Sequence, residues 1–123
     1  MTAVQIVERY LETWNETDPD VREAALASVW AENATYVDPL ANVAGRDAIS
    51  DLIGAVQQQV PGHTFRLVDT DVDAHHNVMR FWWELVPAAG GDSVAIGFDV
   101  AVTQDDGRIE RVLGFLDKAP AAA

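Results

Sequence analysis

The chain has 123 residues, 20 of them acidic and 8 basic, for a formal charge of -12, and 49% of it is apolar. That length fits one domain with a core of its own, and the charge argues against nucleic acid or an anionic membrane surface as partner. There is no cysteine, which removes disulfides, thiolate nucleophiles, zinc–thiolate sites and iron–sulfur clusters.

Thr2 and Gln5 have the spacing of a capping box, so a first helix starts there. Val7, Tyr10, Leu11 and Trp14 then recur at helical spacing as one apolar stripe, until Asn15-Glu16-Thr17 breaks it. Asp18 before Pro19 marks a second helix start, with Leu26, Val29 and Trp30 as its buried face. Ala34 to Asp38 is β-branched and aromatic and reads as a short strand ended by Pro39. Gly45 precedes a third helix with the stripe Ile49, Leu52, Ile53 and Val56, stopped by Pro61-Gly62.

The period then changes. Thr64–Val72, Val78–Val86, Val94–Gln104 and Arg108–Asp117 read as four strands, and the turns at Pro87–Asp92 and Asp105-Asp106-Gly107 suit antiparallel hairpins. Helices followed by a run of antiparallel strands imply an α+β domain with the helices on one sheet face. A single domain is expected over residues 1–118, with a flexible tail at 119–123. No apolar run approaches ~18 residues, and Met1 to Arg9 has no basic segment leading into an apolar one. A cytoplasmic domain is the expectation.

Along the third long strand, Val94, Ile96, Phe98, Val100 and Val102 point one way, a bulky apolar face that needs cover from helices or a second subunit. Ala95, Gly97, Asp99, Ala101 and Thr103 point the other way and leave room beside one carboxylate. A carboxylate within an apolar strand costs several kcal/mol unless neutral, paired or hydrogen-bonded, so Asp99 should have a raised pKa. The adjacent Trp82 and Trp83 fall on opposite faces, one in the core and one at the surface or an interface.

Other motifs fail. Asp69, Asp71 and Asp73 open like a calcium loop, but Ala74 stands at the glycine position and Arg80 at the glutamate position. His63, His75 and His76 read as solvated histidines rather than metal ligands. Ser28, Ser50 and Ser93 lack a nucleophile elbow, and Ala88-Ala89-Gly90-Gly91 is a hairpin turn without the lysine of a phosphate loop. No metal and no cofactor are expected.

Three polar groups remain among apolar neighbours: Tyr10, Asp38 and Asp99. With them go Arg9-Tyr10-Leu11-Glu12, the run from Trp30 to Pro39, Gly45-Arg46-Asp47-Ala48-Ile49, and Asp99 eight residues ahead of Gly107-Arg108-Ile109. From Val7 to Asp117 these resemble the nuclear transport factor 2-like superfamily, which includes ketosteroid isomerases and SnoaL-like polyketide cyclases. The resemblance implies a cone-shaped, cystatin-like fold of three N-terminal helices packed on a curved antiparallel sheet. It also implies Asp38 as general base, removing a proton alpha to a carbonyl, with Tyr10 and Asp99 as neutral donors to the enolate. On the family's geometry Met79, Phe81, Trp83, Val112, Gly114 and Leu116 line the cavity. Gly97 belongs with them, as do Trp30 and Ile53, which stand where isomerases of this type carry tyrosines supporting the first-helix tyrosine.

The function expected is a cofactor-independent isomerase or cyclase acting through an enolate on a hydrophobic carbonyl compound, as a homodimer. A ligand-binding or accessory domain without turnover is one alternative, and a subunit that associates through the Val94-Ile96-Phe98 face is another. Convergence of Asp38 and Asp99 separates the first reading from the second.

Overall fold

Thr2 closes both bonds of the capping box with Gln5 and starts α1 (Ala3–Asn15), which buries Val7, Tyr10, Leu11, Thr13 and Trp14. Asp18 caps α2 (Pro19–Val29) by accepting from the amides of Asp20 and Val21, with Pro19 in the first turn where its missing N–H costs nothing. The structure, a computed structural model, describes residues 1–119, so the expected tail falls outside it beyond Ala119. After α2 come β1 (Trp30–Asp38), β2 (Ala41–Ala44), α3 (Arg46–Gln59), β3 (His63–His75), β4 (Val78–Pro87), β5 (Ala95–Thr103) and β6 (Ile109–Lys118). Among the described residues no helix is long and apolar enough to cross a membrane.

The sheet order is β2-β1-β6-β5-β4-β3. All neighbours are antiparallel except β1 and β6, which run parallel with Tyr36 opposite Val112 and Val37 opposite Leu113. The sheet is therefore mixed, not antiparallel throughout. Hairpin signals report only pairings between chain neighbours, and β1–β6 joins segments from opposite ends of the chain. β1 begins at Trp30, directly after Val29, rather than at Ala34. Its register against β6 shifts between Trp30 and Thr35, and Trp30 and Ala31 are both buried, so the two-residue period is interrupted there. β2 was not expected; it is a four-residue edge strand paired with the end of β1. In β3 the register breaks between Leu67 and Val72, with Asp69 at φ 54; such a bulge bends the strand and adds to the sheet's curvature.

The helices cover the small-residue face of β5, where Ala95, Asp99, Ala101 and Thr103 are buried alternately with half-buried Ile96, Phe98, Val100 and Val102. The bulky set thus faces outward. Beside it Trp82 is 42% and Phe115 57% exposed, and the Trp82 and Phe98 rings meet at 4.7 Å. The inner core gathers Val7, Leu26, Trp30, Ile49, Ile53 and Phe81.

Polar ties set the helices against one another. Buried Arg22 donates to Ser50 Oγ, the Glu16 carbonyl and Gln57 Oε1, and Gln57 donates in turn to the carbonyls of Trp14 and Glu16. The Asn15 side chain clamps Phe65, donating to its carbonyl at 2.8 Å and accepting from its amide at 2.7 Å. These bonds fix the end of α1 over the start of β3.

Candidate active site

The three polar residues singled out from sequence arrive from α1, β1 and β5 at one place. Tyr10 sits on the buried stripe of α1 because it shares that face with Val7, Leu11 and Trp14 at helical spacing. Its hydroxyl donates to Asp99 Oδ2 at 2.9 Å. Tyr10 is 1% and Asp99 2% exposed, so the bond is dry. Asp99 Oδ1 has no hydrogen-bond partner.

Asp38 lies at the end of β1, where the turn through Pro39 and Leu40 leads into β2. Its Oδ1 accepts from the amides of Leu40 at 2.8 Å and Ala41 at 2.9 Å, the ordinary work of an aspartate at a turn. Its Oδ2 accepts from the Tyr36 hydroxyl at 2.6 Å. Three donors therefore converge on this carboxylate, which offers about four lone-pair positions.

Between the two acids runs β6. Gly114 is paired directly with Asp99 across the β5–β6 ladder. A Cβ built on Gly114 would lie 2.9 Å from Asp99 Oδ1, 3.3 Å from Asp38 Cβ and 3.6 Å from the Tyr36 hydroxyl. Asp38, Asp99 and Tyr36 thus meet around the space that this glycine leaves open.

Electrostatics follow from burial. Desolvation pushes Asp99 up to about 7; the nearby Trp83 indole and the Tyr10 hydroxyl oppose that rise and the charge of Asp38 adds to it. Burial likewise raises the Tyr10 hydroxyl well above its ordinary value, with the charge of Asp99 reinforcing it. Tyr36 is raised by burial, then by Asp99 and by its bond to Asp38. Both phenols hold their protons at neutral pH, while Asp99 is balanced between its two forms.

The donors are arranged in series rather than side by side. Tyr10 spends its proton on Asp99 Oδ2, so a protonated Asp99 offers one O–H at Oδ1. In the opposite arrangement Asp99 donates to Tyr10 and Tyr10 donates outward. Either way the pair delivers one strong donor, where the family resemblance implied two.

A cavity of about 130 Å³ opens beside these groups, with Tyr10, Tyr36, Asp38 and Asp99 in its wall. Of the other expected lining residues, Trp83 and Leu116 reach it. Trp30, Ile53, Met79, Phe81 and Val112 do not; they are buried in the core. Tyr10 packs on Trp30 at 5.3 Å and edge-on to Phe81 at 5.7 Å, filling the deep end of the cone with aromatic rings. Gly97 and Gly114 are also outside the lining; the Trp83 indole lies over Gly97, where a Cβ would overlap the ring. The Trp30 indole N–H turns instead to Thr13 Oγ1 at 3.4 Å.

Sequence reasoning passed over Tyr36, although two residues from Asp38 in one strand is the spacing that puts both on the same face. It also left out Trp14, one turn beyond Tyr10 on the α1 stripe, which meets the rings of Tyr36 at 5.3 Å and Phe65 at 5.6 Å above the cavity. Leu40, Gln59 and Val60 are also in the wall and gave no such signal. His63, His75 and His76 are absent from the lining, and no group of three or more His, Cys, Asp or Glu among the described residues is placed to hold a metal.

Comparison with known proteins agrees with this architecture. A SnoaL-like domain profile matches residues 7–112. A candidate isomerase of the SnoaL-like family from Agrobacterium tumefaciens superimposes with a TM-score of 0.86 at 42% identity, over 92% of this chain and 95% of that one. A candidate ketosteroid isomerase from Kribbella flavida (TM-score 0.68, 20% identity, 97% and 80% covered) shares the fold. So does a candidate polyketide cyclase from Sinorhizobium meliloti (TM-score 0.69, 20% identity, 89% and 93% covered). No curated protein matches the chain. With most of its length matched, the chain belongs to the SnoaL-like domain family.

Proposed function

We propose that this protein is a cofactor-independent acid–base enzyme that isomerises or cyclises a hydrophobic carbonyl compound through an enolate. Asp38 is the base, and the Tyr10–Asp99 pair is the donor that meets the developing oxyanion. The observation carrying this reading is the meeting of Asp38 and Asp99 around Gly114, with Asp99 Oδ1 unpartnered. A carbonyl oxygen near that atom receives a hydrogen bond from neutral Asp99 while its alpha carbon faces Asp38. The SnoaL-like isomerase candidate at 42% identity supports the reaction class.

Exchange of ketone alpha protons in deuterated water, followed by NMR with cyclohexanone, tests it without knowledge of the natural substrate. Asp38→Asn is expected to slow exchange by roughly 10²–10⁴-fold with an unchanged circular dichroism spectrum. An unchanged rate would remove Asp38 as base.

A second reading, a ligand-binding or accessory domain with no turnover, is favoured by the three donors that already occupy Asp38. It predicts ligand binding without exchange. In both readings the protein is a homodimer, because Trp82, Phe98 and Phe115 form a contiguous outer apolar row across β4, β5 and β6. Light scattering is expected to give twice the chain mass, and a monomer counts against the dimer.

A further inference from the structure

Resting on the reading of this cavity as a carbonyl-compound site, we infer that its substrate is uncharged and buries a single six-membered-ring-sized carbonyl unit, leaving any larger remainder outside. The first support is size. Ligand pockets commonly run to ~300–1,000 Å³, while an apolar cavity of ~150 Å³ is filled by benzene. At about 130 Å³ this one takes one ring. The reason lies in the packing below it, since Trp30 and Phe81 occupy the deep end against Tyr10 and the Trp83 indole occupies the recess over Gly97.

The second support is charge. Among the described residues no lysine, arginine or histidine lines the cavity, and two carboxyl groups do, so an anionic substrate meets repulsion and no counter-ion there. A cation fares little better. Both Asp38 oxygens are already bonded, and a cation would have to hold Asp99 in the ionised form that its burial disfavours. Apart from the uncharged amide of Gln59 the remaining wall is mainly aromatic and aliphatic, with Trp14, Phe65, Leu11 and Leu85 in it, and suits an uncharged ring with a polar atom aimed at Asp99.

Trp14 and Trp83 line the cavity and provide the readout. The whole protein at pH 6 is titrated with cyclohexanone, 2-decalone, cyclohexanecarboxylate and cyclohexylamine while the indole N–H signals are followed by NMR. Cyclohexanone is expected to shift both signals. The affinity of 2-decalone should lie within about tenfold of it, because the second ring stays outside; full burial would add roughly fourfold per methylene. Both ions should bind at least about tenfold more weakly than the ketone, each lacking a partner in the cavity. A larger gain for the two-ring ketone overturns the inference, as does either ion matching cyclohexanone or a failure of cyclohexanone to shift the signals. The two proposals fail separately. The expected ranking without alpha-proton exchange refutes turnover alone, and exchange together with a large gain for 2-decalone refutes the size limit alone.

Discussion

Two aspartate–tyrosine pairs face each other across Gly114, and they are built in opposite ways. Tyr10–Asp99 spans α1 and β5 in the dry interior; its acid accepts from Tyr10 at Oδ2, and its Oδ1 has no bonded partner, with the Trp83 indole nearby. Tyr36–Asp38 lies within one strand beside a turn, its tyrosine buried and its acid half-buried, and that acid receives three donors. The same two residue types thus provide a carboxyl drawn toward its neutral, donating form and a carboxylate surrounded as an acceptor. Such a division between neighbouring acids suits the proposed proton transfer, which needs one acceptor and one donor.

The sharpest way to break the contrast is Asp99→Asn, which keeps the shape of the neutral acid and removes its titration. Folded Asp99 holds its proton up to about pH 7, above the ordinary aspartate value of 3.8. Its contribution to stability is complete below about pH 4 and is lost as pH rises through about 7, a span of roughly 4 kcal/mol for one dry carboxyl. Thermal melts should therefore show Asp99→Asn gaining on the wild type between pH 5 and pH 8. Parallel curves would mean that Asp99 is charged throughout.

Gly114→Ala closes the space between the pairs. Its new methyl presses on Asp99 Oδ1 and is expected to cost about 1–3 kcal/mol of stability, as overpacking does. It should also abolish cyclohexanone binding in the indole titration, whereas a tolerated methyl with normal binding would place the ligand elsewhere. The mildest change is Tyr36→Phe. It removes one of three donors from a half-buried carboxylate, so the loss should be near 1 kcal/mol by denaturant titration. Tyr10→Phe, in the dry pair, should cost more than Tyr36→Phe; the reverse order would undo the contrast.

What could be read from the sequence follows the reach of each signal. The capping box at Thr2, the Asp18-Pro19 start and the alternation along β5 are local, and they hold in the structure. The parallel pairing of β1 with β6 leaves no local trace, and so the mixed sheet did not show. Asp99 was visible as a carboxylate among small apolar neighbours. The cavity wall was not, because whether Phe81 and Trp30 line a space or fill it depends on how Tyr10 packs on them. A ring in contact with a cavity and a ring that plugs it look alike in sequence.

The placement of β6 has a consequence for how the candidate site is assembled. β6 lies between β1 and β5, although it comes last of the three in the chain. Asp38, Gly114 and Asp99 come from these three adjacent strands, so the acids have no common floor until β6 has slid into the gap. Pairings between such distant segments form late and slowly. Without β6, β1 and β5 share no ladder, so the two acids of the candidate site are brought together only by the pairing of the last strand.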